Sequence, residues 1–226
     1  MKIVVCGPFQ CGKSEYINAL DNNAINISTI DKNKNKITIG MDIGNIKIDG
    51  VKISLFGTPG LLRFKTIRQI IVQGADGIIF IFDGLNSNMD DSAIQILNEI
   101  RMIISREIPI VFCVNKCDDN NCRDIKSVRE QNYIPELFPM YLISAKNKIN
   151  VKDSLMKLIS LIKENLSPLL LILKECENDL TILNTKLNMN PNELNNFLYS
   201  MEIRGLISID RENKTFKLNS AASFFT

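Results

Sequence analysis

The chain has 226 residues, enough for one or two domains with a hydrophobic core, and 45% of them are hydrophobic while 23% are charged. A formal charge of +2 at pH 7 gives no sign of a nucleic-acid-binding tail or of an acidic disordered arm. The absence of histidine excludes imidazole general bases, histidine metal ligands and nucleophile systems built on Ser/His or Cys/His pairs.

The first predicted element is a buried strand, KIVVC at residues 2–6, which is followed by the loop GPFQCGKS and the helix-compatible run EYINAL. The polar run DKNKNK at residues 31–36 is interpreted as a solvated loop. GNIKIDG and VKISLF then alternate apolar and polar residues around Asp49-Gly50, which predicts an antiparallel hairpin.

Buried strands and amphipathic segments alternate through the next part of the chain. Three apolar runs, GIIFIF, PIVFCV and MYLI, are separated by helical patterns near residues 61–73, 90–104, 124–131 and 151–165. This alternation predicts an α/β fold, a doubly wound and mostly parallel sheet that is covered on both faces. The single hairpin would form one antiparallel edge of that sheet.

The alternation stops near Ser167-Pro168, where we place a boundary between a domain of residues 1–166 and a smaller one of residues 167–226. LLLILKEC, TILNTKL and PNELNNFLYSMEIRG predict three helices, the third capped by Asn190 and opened by Pro191. GLISID and TFKL predict two short strands joined by RENK. Three helices and a small hairpin predict a winged-helix-like domain.

Residues 7–14, GPFQCGKS, match the pattern GxxxxGK[ST] between a predicted strand and a predicted helix. Glycines let the backbone curl, so that N–H groups of the loop and of the helix start converge on phosphate oxygens. We expect Lys13 to neutralise the β and γ phosphates and the Ser14 hydroxyl to bind Mg²⁺. The predicted phosphate-site residues are Gly7, Phe9, Gln10, Cys11, Gly12, Lys13, Ser14 and Glu15.

Two further motifs, Asn115-Lys116-Cys117-Asp118 and Ser144-Ala145-Lys146, follow the apolar runs PIVFCV and MYLI. Both fall at the carboxyl ends of predicted strands, which is the ligand-binding edge of a doubly wound sheet. The Asp118 carboxylate can accept from two adjacent N–H donors of guanine, and N–H groups around Ala145 can meet its O6, whereas adenine would leave both badly paired. The predicted guanine-site residues are Asn115, Lys116, Asp118, Ser144, Ala145 and Lys146.

The motifs resemble those of the Ras-like small GTPases, and they occur in the same order over residues 1–166: GPFQCGKS, TIGMD, GTPG, NKCD and SAK. The resemblance implies a P-loop NTPase fold that binds GTP and GDP with Mg²⁺ and switches between two states. It implies that Thr38 is the switch I threonine, which joins Ser14 at the metal, and that the Gly60 N–H meets the γ-phosphate. Lys13, Thr38 and Gly60 are then the expected catalytic groups.

The stretch LFGTPGLLRF, residues 55–64, departs from the pattern of that family. Gly57 stands where most members have an aspartate that holds Mg²⁺ through water, and Leu61 stands where they have a glutamine that orients the attacking water. A bulky Phe9 would hinder an arginine finger. The FGTPG variant is similar to that of prokaryotic Ras-like proteins related to the gliding-motility GTPases. We expect slow hydrolysis of GTP, with a pseudo-GTPase that only binds nucleotide as the alternative.

Three side chains near these motifs have two interpretations each. Asp42 could compensate near the metal, but a strand-edge or partner-contact role is favoured. Arg63 could supply a local positive charge, but a surface arginine in switch II is favoured. Gln10 could contact phosphates or a water, but a solvent-facing glutamine is favoured.

The charge of the C-terminal segment separates two hypotheses about its partner. Residues 167–226 contain six basic and seven acidic residues, a net charge of −1, whereas a surface that tracks DNA phosphates needs concentrated positive charge. We therefore favour protein contact, with a GTP-controlled DNA-binding regulator as the alternative. The family resemblance suggests a roadblock- or longin-type regulatory protein as the partner.

The chain ends and the cysteines point to a cytoplasmic protein. MKIVVCG is too short for a signal sequence, and no apolar run approaches the roughly 20 residues of a membrane span. Lys2 stands where myristoylation needs glycine, and AASFFT lacks a prenylation cysteine, so we expect no lipid anchor. The six cysteines show no paired CxxC zinc pattern, and we expect them to be reduced thiols.

Overall fold

The computed structural model describes residues 1–26, 28–30, 36–38, 41–104, 108–176 and 178–224, and for residues 28–30, 36–38, 221 and 223 it describes the backbone alone. The strands are β1 (Lys2–Cys6), β2 (Ser28–Ile30), β3 (Lys36–Thr38), β4 (Asp42–Ile48), β5 (Val51–Gly57), β6 (Gly77–Asp83), β7 (Ile110–Asn115), β8 (Met140–Ile143), β9 (Ile207–Asp210) and β10 (Thr215–Leu218). The α-helices are α1 (Lys13–Leu20), α2 (Lys65–Val72), α3 (Asp90–Ile103), α4 (Ile125–Asn132), α5 (Val151–Glu175), α6 (Leu180–Leu187) and α7 (Pro191–Ile203). The predicted polar loop at 31–36 lies, except for Lys36, outside the described residues.

Six of these strands form one sheet in the order β4-β5-β1-β6-β7-β8. The pairs β1–β5, β1–β6, β6–β7 and β7–β8 are all parallel. The predicted α/β fold with a mostly parallel sheet is therefore confirmed. β2 and β3 pair with each other in an antiparallel ribbon outside this sheet.

The predicted hairpin forms the edge of the sheet, because β4 is the outermost strand and only Asp49 and Gly50 connect it to β5. Both residues have positive φ angles, 47° and 84°, as a type I′ turn requires. A two-residue connection between neighbouring strands makes them antiparallel. An Asp-Gly pair is therefore the local signal that determined this edge.

The middle of the sheet is buried on both faces, and the central strand β6 has no exposed residue. Ile78, Phe80 and Phe82 pack in a core to which α2 and α3 also contribute. Their neighbours Ile79 and Ile81 point to the opposite face and are also fully buried. A continuous apolar strand of this kind is typical of a parallel sheet covered on both sides.

The chain divides into two compact units, one of residues 1–47 and 52–159 and one of residues 48–51 and 160–226. The domain boundary that the sequence predicts at 166/167 stays a prediction. Although α5 has 25 residues, no helix in the described part of the chain combines the length and the apolar character needed to cross a bilayer.

The prediction that the helix near 151–165 ends before Pro168 is wrong, since α5 continues through this proline. A proline inside a helix removes one backbone hydrogen bond and usually bends or ends the helix. Here the apolar residues Leu166, Leu170 and Leu173 continue the helical spacing across the proline, and all three are buried. Burial of this continuous stripe offsets the lost hydrogen bond.

The C-terminal unit contains the remaining elements in the predicted order. α7 begins with Asn190 as its cap and Pro191 in its first turn, as predicted, and Asn190 and Glu193 form a reciprocal capping box. β9 and β10 pair antiparallel around residues 211–214. The classification of these helices and this hairpin as a winged helix stays a prediction.

Candidate functional site

A cavity of about 540 Å³ lies at the carboxyl edge of the large sheet. Its lining comes from the loops that follow β1, β5, β6, β7 and β8, from the end of β7, from α1 and from the segment after α1. It comprises Phe9, Gln10, Gly12, Lys13, Ser14, Glu15, Asn18, Asn26, Gly60, Leu85, Asn115, Lys116, Asp118, Asp119, Ala145 and Lys146. Ligands bind at this edge in open α/β sheets, because loops from neighbouring strands converge there. The phosphate-loop and guanine motifs, far apart in sequence, thus line one cavity.

The loop between β1 and α1 has the backbone geometry that an anion site needs. Gly7 and Gly12 have φ angles of 146° and 99°. A Cβ on Gly7 would collide with the Ile81 carbonyl oxygen, and a Cβ on Gly12 would collide with the Asn115 amide nitrogen. Among the described residues no side chain caps the start of α1. The start of α1 thus lies directly after this glycine-rich loop, as it does in sites that bind phosphate.

Lys13 and Gly60 lie side by side over this loop. Lys13 is 7% exposed, and its Nζ donates to the Pro8 carbonyl at 2.6 Å. A Cβ on Gly60 would lie 2.6 Å from the backbone nitrogen of Phe9 and 2.7 Å from Lys13 Nζ. Only glycine lets the main chain of the loop after β5 approach the lysine this closely, so both groups can reach the same phosphate.

Asn115, at the end of β7, joins three of the motifs through its side-chain amide. Its Nδ2 donates to the Cys11 carbonyl at 2.8 Å, and its Oδ1 accepts from the Ala145 N–H at 2.9 Å. Asn115 is 3% exposed, so both bonds are shielded from water. The amide therefore holds the phosphate loop and the loop after β8 at a fixed separation.

Asp118 is an exposed carboxylate of the cavity wall, as Glu15 and Asp119 are, and Ser144 fixes its orientation. The Ser144 hydroxyl donates to Asp118 Oδ1 at 2.7 Å. This hydrogen bond, with a backbone N–H and the charge of Lys146, holds the pKa of Asp118 below its ordinary value. The group is therefore a carboxylate at neutral pH and accepts hydrogen bonds, which is what two adjacent N–H donors of a base require.

Lys116 is held along the cavity by Asp83, a residue that we did not predict. Lys116 Nζ lies 2.7 Å from Asp83 Oδ2, and the Asp83 side chain is 3% exposed. The other oxygen of Asp83 accepts from the Leu85 N–H at 3.0 Å. The ion pair fixes the alkyl stem of Lys116 in the wall of the cavity.

Asp42 begins the edge strand β4, as the favoured interpretation allows, but its burial contradicts a role in partner contact and its side chain contacts the phosphate site. Its side chain is directed inward from the start of β4 and is 1% exposed. Ser14 Oγ donates to Asp42 Oδ2 at 2.6 Å. The carboxylate lies beside Gly57, the position that lacks the expected aspartate, because a Cβ there would be 2.9 Å from Asp42 Oδ2.

The chemistry of these groups fits Mg²⁺. This ion prefers hard oxygen ligands and usually keeps several waters and substrate phosphate oxygens with one or two carboxylates. The Ser14 hydroxyl and the Asp42 carboxylate are such oxygens, and they lie beside the phosphate loop. In the described residues no three His, Cys, Asp or Glu side chains form a metal-binding group. The side chain of Thr38, the other predicted ligand, lies outside what the structure describes.

The remaining predicted residues are near the cavity with one exception. Gly7, Cys11 and Ser144 lie behind its wall, whereas Phe9 and Gln10 line it. The exception is Arg63, for which the favoured surface interpretation fits, since it is exposed and its guanidinium lies 5.0 Å from the centre of the Phe64 ring.

Several lining residues were missed by sequence reasoning. They are Asn18, Asn26, Leu85 and Asp119. Asn18 follows Ser14 by four residues on α1, a spacing that places both on one helix face and could have revealed it. Asn26 donates to Asn18 Oδ1 at 2.9 Å, a contact with no local sequence signal.

Fold and site together define a nucleotide-binding protein of the phosphate-loop class. A sequence model of the Ras family matches residues 2–164, and the chain therefore belongs to the Ras family. It is similar to Ras-related protein RabZ of Dictyostelium discoideum, with 28% identity over 170 residues that cover 74% of this chain and 73% of that protein. Ras-related protein Rab-1C of the same organism is 30% identical over 170 residues, 73% of this chain and 82% of that one. Ras-related protein Rab-8B of Bos taurus is 28% identical over 158 residues, 68% and 73% of the two chains.

Proposed function

We propose that this protein is a guanine-nucleotide-dependent molecular switch, which binds GTP and GDP with Mg²⁺ in the cavity and hydrolyses GTP slowly. The observation that carries the proposal is the pair of hydrogen bonds by which Asn115 joins the Cys11 carbonyl to the Ala145 N–H. This pair of hydrogen bonds links the phosphate loop to the segment proposed to contact guanine. A single ligand that spans both segments requires them to be held at a fixed separation. Membership of the Ras family supports the same function.

Each part of the nucleotide has its own group in this cavity. The N–H groups of the loop and of α1, with the Lys13 ammonium, bind the phosphates, and the Asp118 carboxylate accepts from the guanine N–H groups. Ser14 and Thr38 are the proposed Mg²⁺ ligands. The two residues would hold the ion beside the phosphates, where it would neutralise their negative charge.

The switch depends on contacts that only the triphosphate makes. Thr38 and Gly60 contact the γ-phosphate in the GTP state and lose this contact in the GDP state. The segments around them are therefore ordered with GTP and relax with GDP. A partner that contacts these segments can then distinguish the two nucleotides.

Slow hydrolysis follows from the side chains that the loop after β5 lacks. Gly57 and Leu61 have no polar group to tune the metal or to orient an attacking water, and Phe9 lines the cavity where an arginine finger would enter. A pseudo-GTPase is the second candidate for the same reason. The FGTPG sequence supports a relation to the gliding-motility type of prokaryotic GTPase.

The segment of residues 167–226 is proposed as a winged-helix module that contacts a protein, beside a GTP-binding domain of residues 1–166. Tyr199 and Ile203 support protein contact, since they are 60% and 67% exposed and lie one turn apart on α7. A roadblock- or longin-type regulator is the proposed partner. All six cysteines are free thiols, which supports a cytoplasmic location.

Identification of the nucleotide tests the proposal directly. We expect protein purified in Mg²⁺ to release GDP or GTP on denaturation, detected by chromatography, and to bind GDP much more tightly than ADP. Replacing Asp118 by Asn turns one of the two carboxylate oxygens into an NH2 donor, so only one of the two guanine N–H groups keeps an acceptor, and we expect at least about tenfold weaker GDP binding.

Asp124→Asn is the matched control, because it makes the same charge change at an exposed residue outside the cavity. Asp124 caps α4 through Oδ1, and asparagine keeps that oxygen. We expect this variant to bind GDP like the wild type. Preference of the wild-type protein for ATP, or failure to retain any purine nucleotide in Mg²⁺, would contradict the proposal.

A further inference from the structure

We propose that Asp42 replaces, from strand β4, the aspartate that the loop after β5 lacks, and that it controls Mg²⁺ binding by positioning the Ser14 hydroxyl. This inference rests on the proposed function, since it concerns the metal that accompanies the nucleotide. It assigns a positioning role to the last residue of the TIGMD segment, for which the sequence favoured a different role. Its basis is the contact of Asp42 with Ser14 on one side and with Gly57 on the other.

The first step is the hydrogen bond between Ser14 and Asp42. Ser14 is the second residue of α1 and lines the cavity, while Asp42 is the first residue of β4 and is 1% exposed. The 2.6 Å separation of Ser14 Oγ and Asp42 Oδ2 is typical of a hydroxyl that donates to a carboxylate. The serine oxygen is thereby held by a negatively charged group at the phosphate site.

The second step is the space that Asp42 and Gly57 share. A Cβ on Gly57 would lie 2.9 Å from Asp42 Oδ2, 3.0 Å from Asp42 Cβ and 3.0 Å from Ile17 Cδ1. Two of these atoms belong to a short, buried side chain that cannot move far without losing Ser14. A side chain at position 57 would therefore require the carboxylate of Asp42 to move from its present position.

The Asp42 carboxylate thus occupies the space beside Gly57 that a side chain at position 57 would need. Asp42 begins β4 and Gly57 ends β5, and these strands are neighbours at the edge of the sheet. The start of one strand and the end of its antiparallel neighbour lie side by side. A carboxylate can consequently reach the phosphate site from either strand, and this chain uses β4.

The third step is the effect of that carboxylate on a cation. A hydroxyl has one hydrogen and two lone pairs, and when its hydrogen is donated to a carboxylate its lone pairs are presented to a metal. A carboxylate that accepts from a ligand also makes the ligand more basic and fixes its direction. Asp42 would therefore raise the affinity of the nucleotide site for Mg²⁺ without contacting the base or the phosphates.

Release of a fluorescent GDP analogue from the full-length protein tests this role. The dissociation rate of the analogue is measured over a series of free Mg²⁺ concentrations, from none, in excess EDTA, to millimolar. Mg²⁺ should slow the release, and the measured quantity is the Mg²⁺ concentration at which half of the maximal decrease in rate is reached. For Asp42→Asn we expect this concentration to rise about 10- to 100-fold, the usual cost of losing an outer partner of a metal ligand. The rate in EDTA, which does not depend on the metal, should stay that of the wild type.

Asp49→Asn is the control, because it makes the same charge change at the other end of β4, in the hairpin turn. Asparagine readily adopts the positive φ of 47° found there, so the hairpin should be preserved. We expect the wild-type Mg²⁺ dependence. The double variant Asp42→Gly/Gly57→Asp moves the carboxylate to β5 and removes the collision, so the Mg²⁺ requirement should return toward the wild-type value.

Each other result counts against the inference. A wild-type Mg²⁺ requirement in Asp42→Asn, or an acceleration of release that is equal with Mg²⁺ and with EDTA, would show that Asp42 has only a structural role. If Asp42→Asn does not fold, the double variant Asp42→Gly/Gly57→Asp is the test. The inference is overturned if GDP release from this double variant does not depend on Mg²⁺. Wild-type protein that holds GDP without any Mg²⁺ effect overturns the inference alone, whereas protein that holds no guanine nucleotide overturns the proposed function as well.

Discussion

At the scale of single residues, Asn115 shows how one side chain can fix the geometry of a site. Its amide has a donor and an acceptor, and both are used, on the Cys11 carbonyl and on the Ala145 N–H. Gly12 has to be glycine for the same reason, since any Cβ would collide with this amide. A buried amide satisfied on both sides is rigid, and leaving either partner unpaired would cost about 1–3 kcal/mol.

The side chain at position 61 gives a prediction about the rate of hydrolysis. Leu61 cannot orient a water, so we expect the wild-type single-turnover rate of GTP hydrolysis to be on the order of 10⁻⁴ s⁻¹ or lower. Leu61→Gln supplies a hydrogen-bonding group, and one hydrogen bond of about 1–1.5 kcal/mol in the transition state would raise the rate about tenfold.

Leu62→Gln is the control for this experiment, because it adds the same amide to the next residue, which is 38% exposed and does not line the cavity. We expect it to leave the rate unchanged. Equal rates for the two variants would show that position 61 does not orient the water. A wild-type rate no greater than that of uncatalysed hydrolysis would identify a pseudo-GTPase.

At the scale of elements, α2 carries a buried cation that holds the segment before it. The Arg68 side chain is 1% exposed and forms an ion pair of 2.7 Å with Glu99 on α3. Its guanidinium also donates to three main-chain carbonyls, those of Pro59 at 3.2 Å, Leu61 at 2.7 Å and Leu62 at 3.1 Å. Arg68 and Glu99 therefore fix the position of residues 59–62, which include Gly60.

Removal of the charge on Glu99 should release this segment. Glu99→Gln leaves the Arg68 guanidinium buried without its counter-ion, and we expect the free energy of unfolding to fall by about 2–3 kcal/mol, since Glu99 itself is partly exposed. Hydrogen exchange at residues 59–62 should become faster, because the carbonyl contacts weaken with the guanidinium. Denaturant unfolding and mass spectrometry of exchanged peptides measure the two effects.

The control is Glu130→Gln, which removes one charge of the exposed pair Lys126–Glu130 on α4. Its atoms are 3.9 Å apart and the side chains are 83% and 67% exposed. Such pairs contribute little, so neither stability nor exchange at residues 59–62 should change. If both glutamine variants behave like the wild type, Arg68 does not hold the segment through its charge.

At the scale of the whole molecule, the charge distribution bears on the two partner hypotheses for residues 167–226. In the described part of this segment, Lys186 pairs with Glu175 at 2.9 Å and Arg211 pairs with Glu202 at 2.8 Å. Arg211 lies in the turn between β9 and β10. The positive charge that DNA binding needs is therefore further reduced.

We accordingly expect no specific binding of duplex DNA by the full-length protein in either nucleotide state. Titration of fluorescent duplex DNA at low and at moderate salt measures this. Any weak binding at low salt should be lost at moderate salt, because it would depend on few phosphate contacts. Salt-resistant binding that differs between the GTP and GDP states and is weakened by Arg211→Gln would favour the DNA-binding alternative.

Local sequence patterns predicted most of the fold and the nucleotide motifs. GPFQCGKS, the Asp49-Gly50 turn and the Asn190-Pro191 helix start are each defined within a few consecutive residues, and the structure has the loop, the turn and the cap there. Alternating apolar runs predicted the parallel sheet. These features depend on backbone preferences and on the burial of adjacent side chains, which short stretches of sequence determine.

Four other features depend on residues that only the folded chain brings together. Asp42 is 28 residues from Ser14 and Arg68 is 31 residues from Glu99 in sequence. The contact of Asp42 with Gly57 follows from the pairing of two strands, and the passage of α5 through Pro168 follows from burial of an apolar stripe.

The sequence by itself therefore determined the family, the α/β fold and the phosphate and guanine motifs, because these are encoded in short segments with fixed spacing. Only the tertiary structure decided which carboxylate accompanies Ser14 and how residues 59–62 are held. The reason is physical: a hydrogen bond between distant residues depends on the positions of whole strands and helices, and no local pattern specifies those positions.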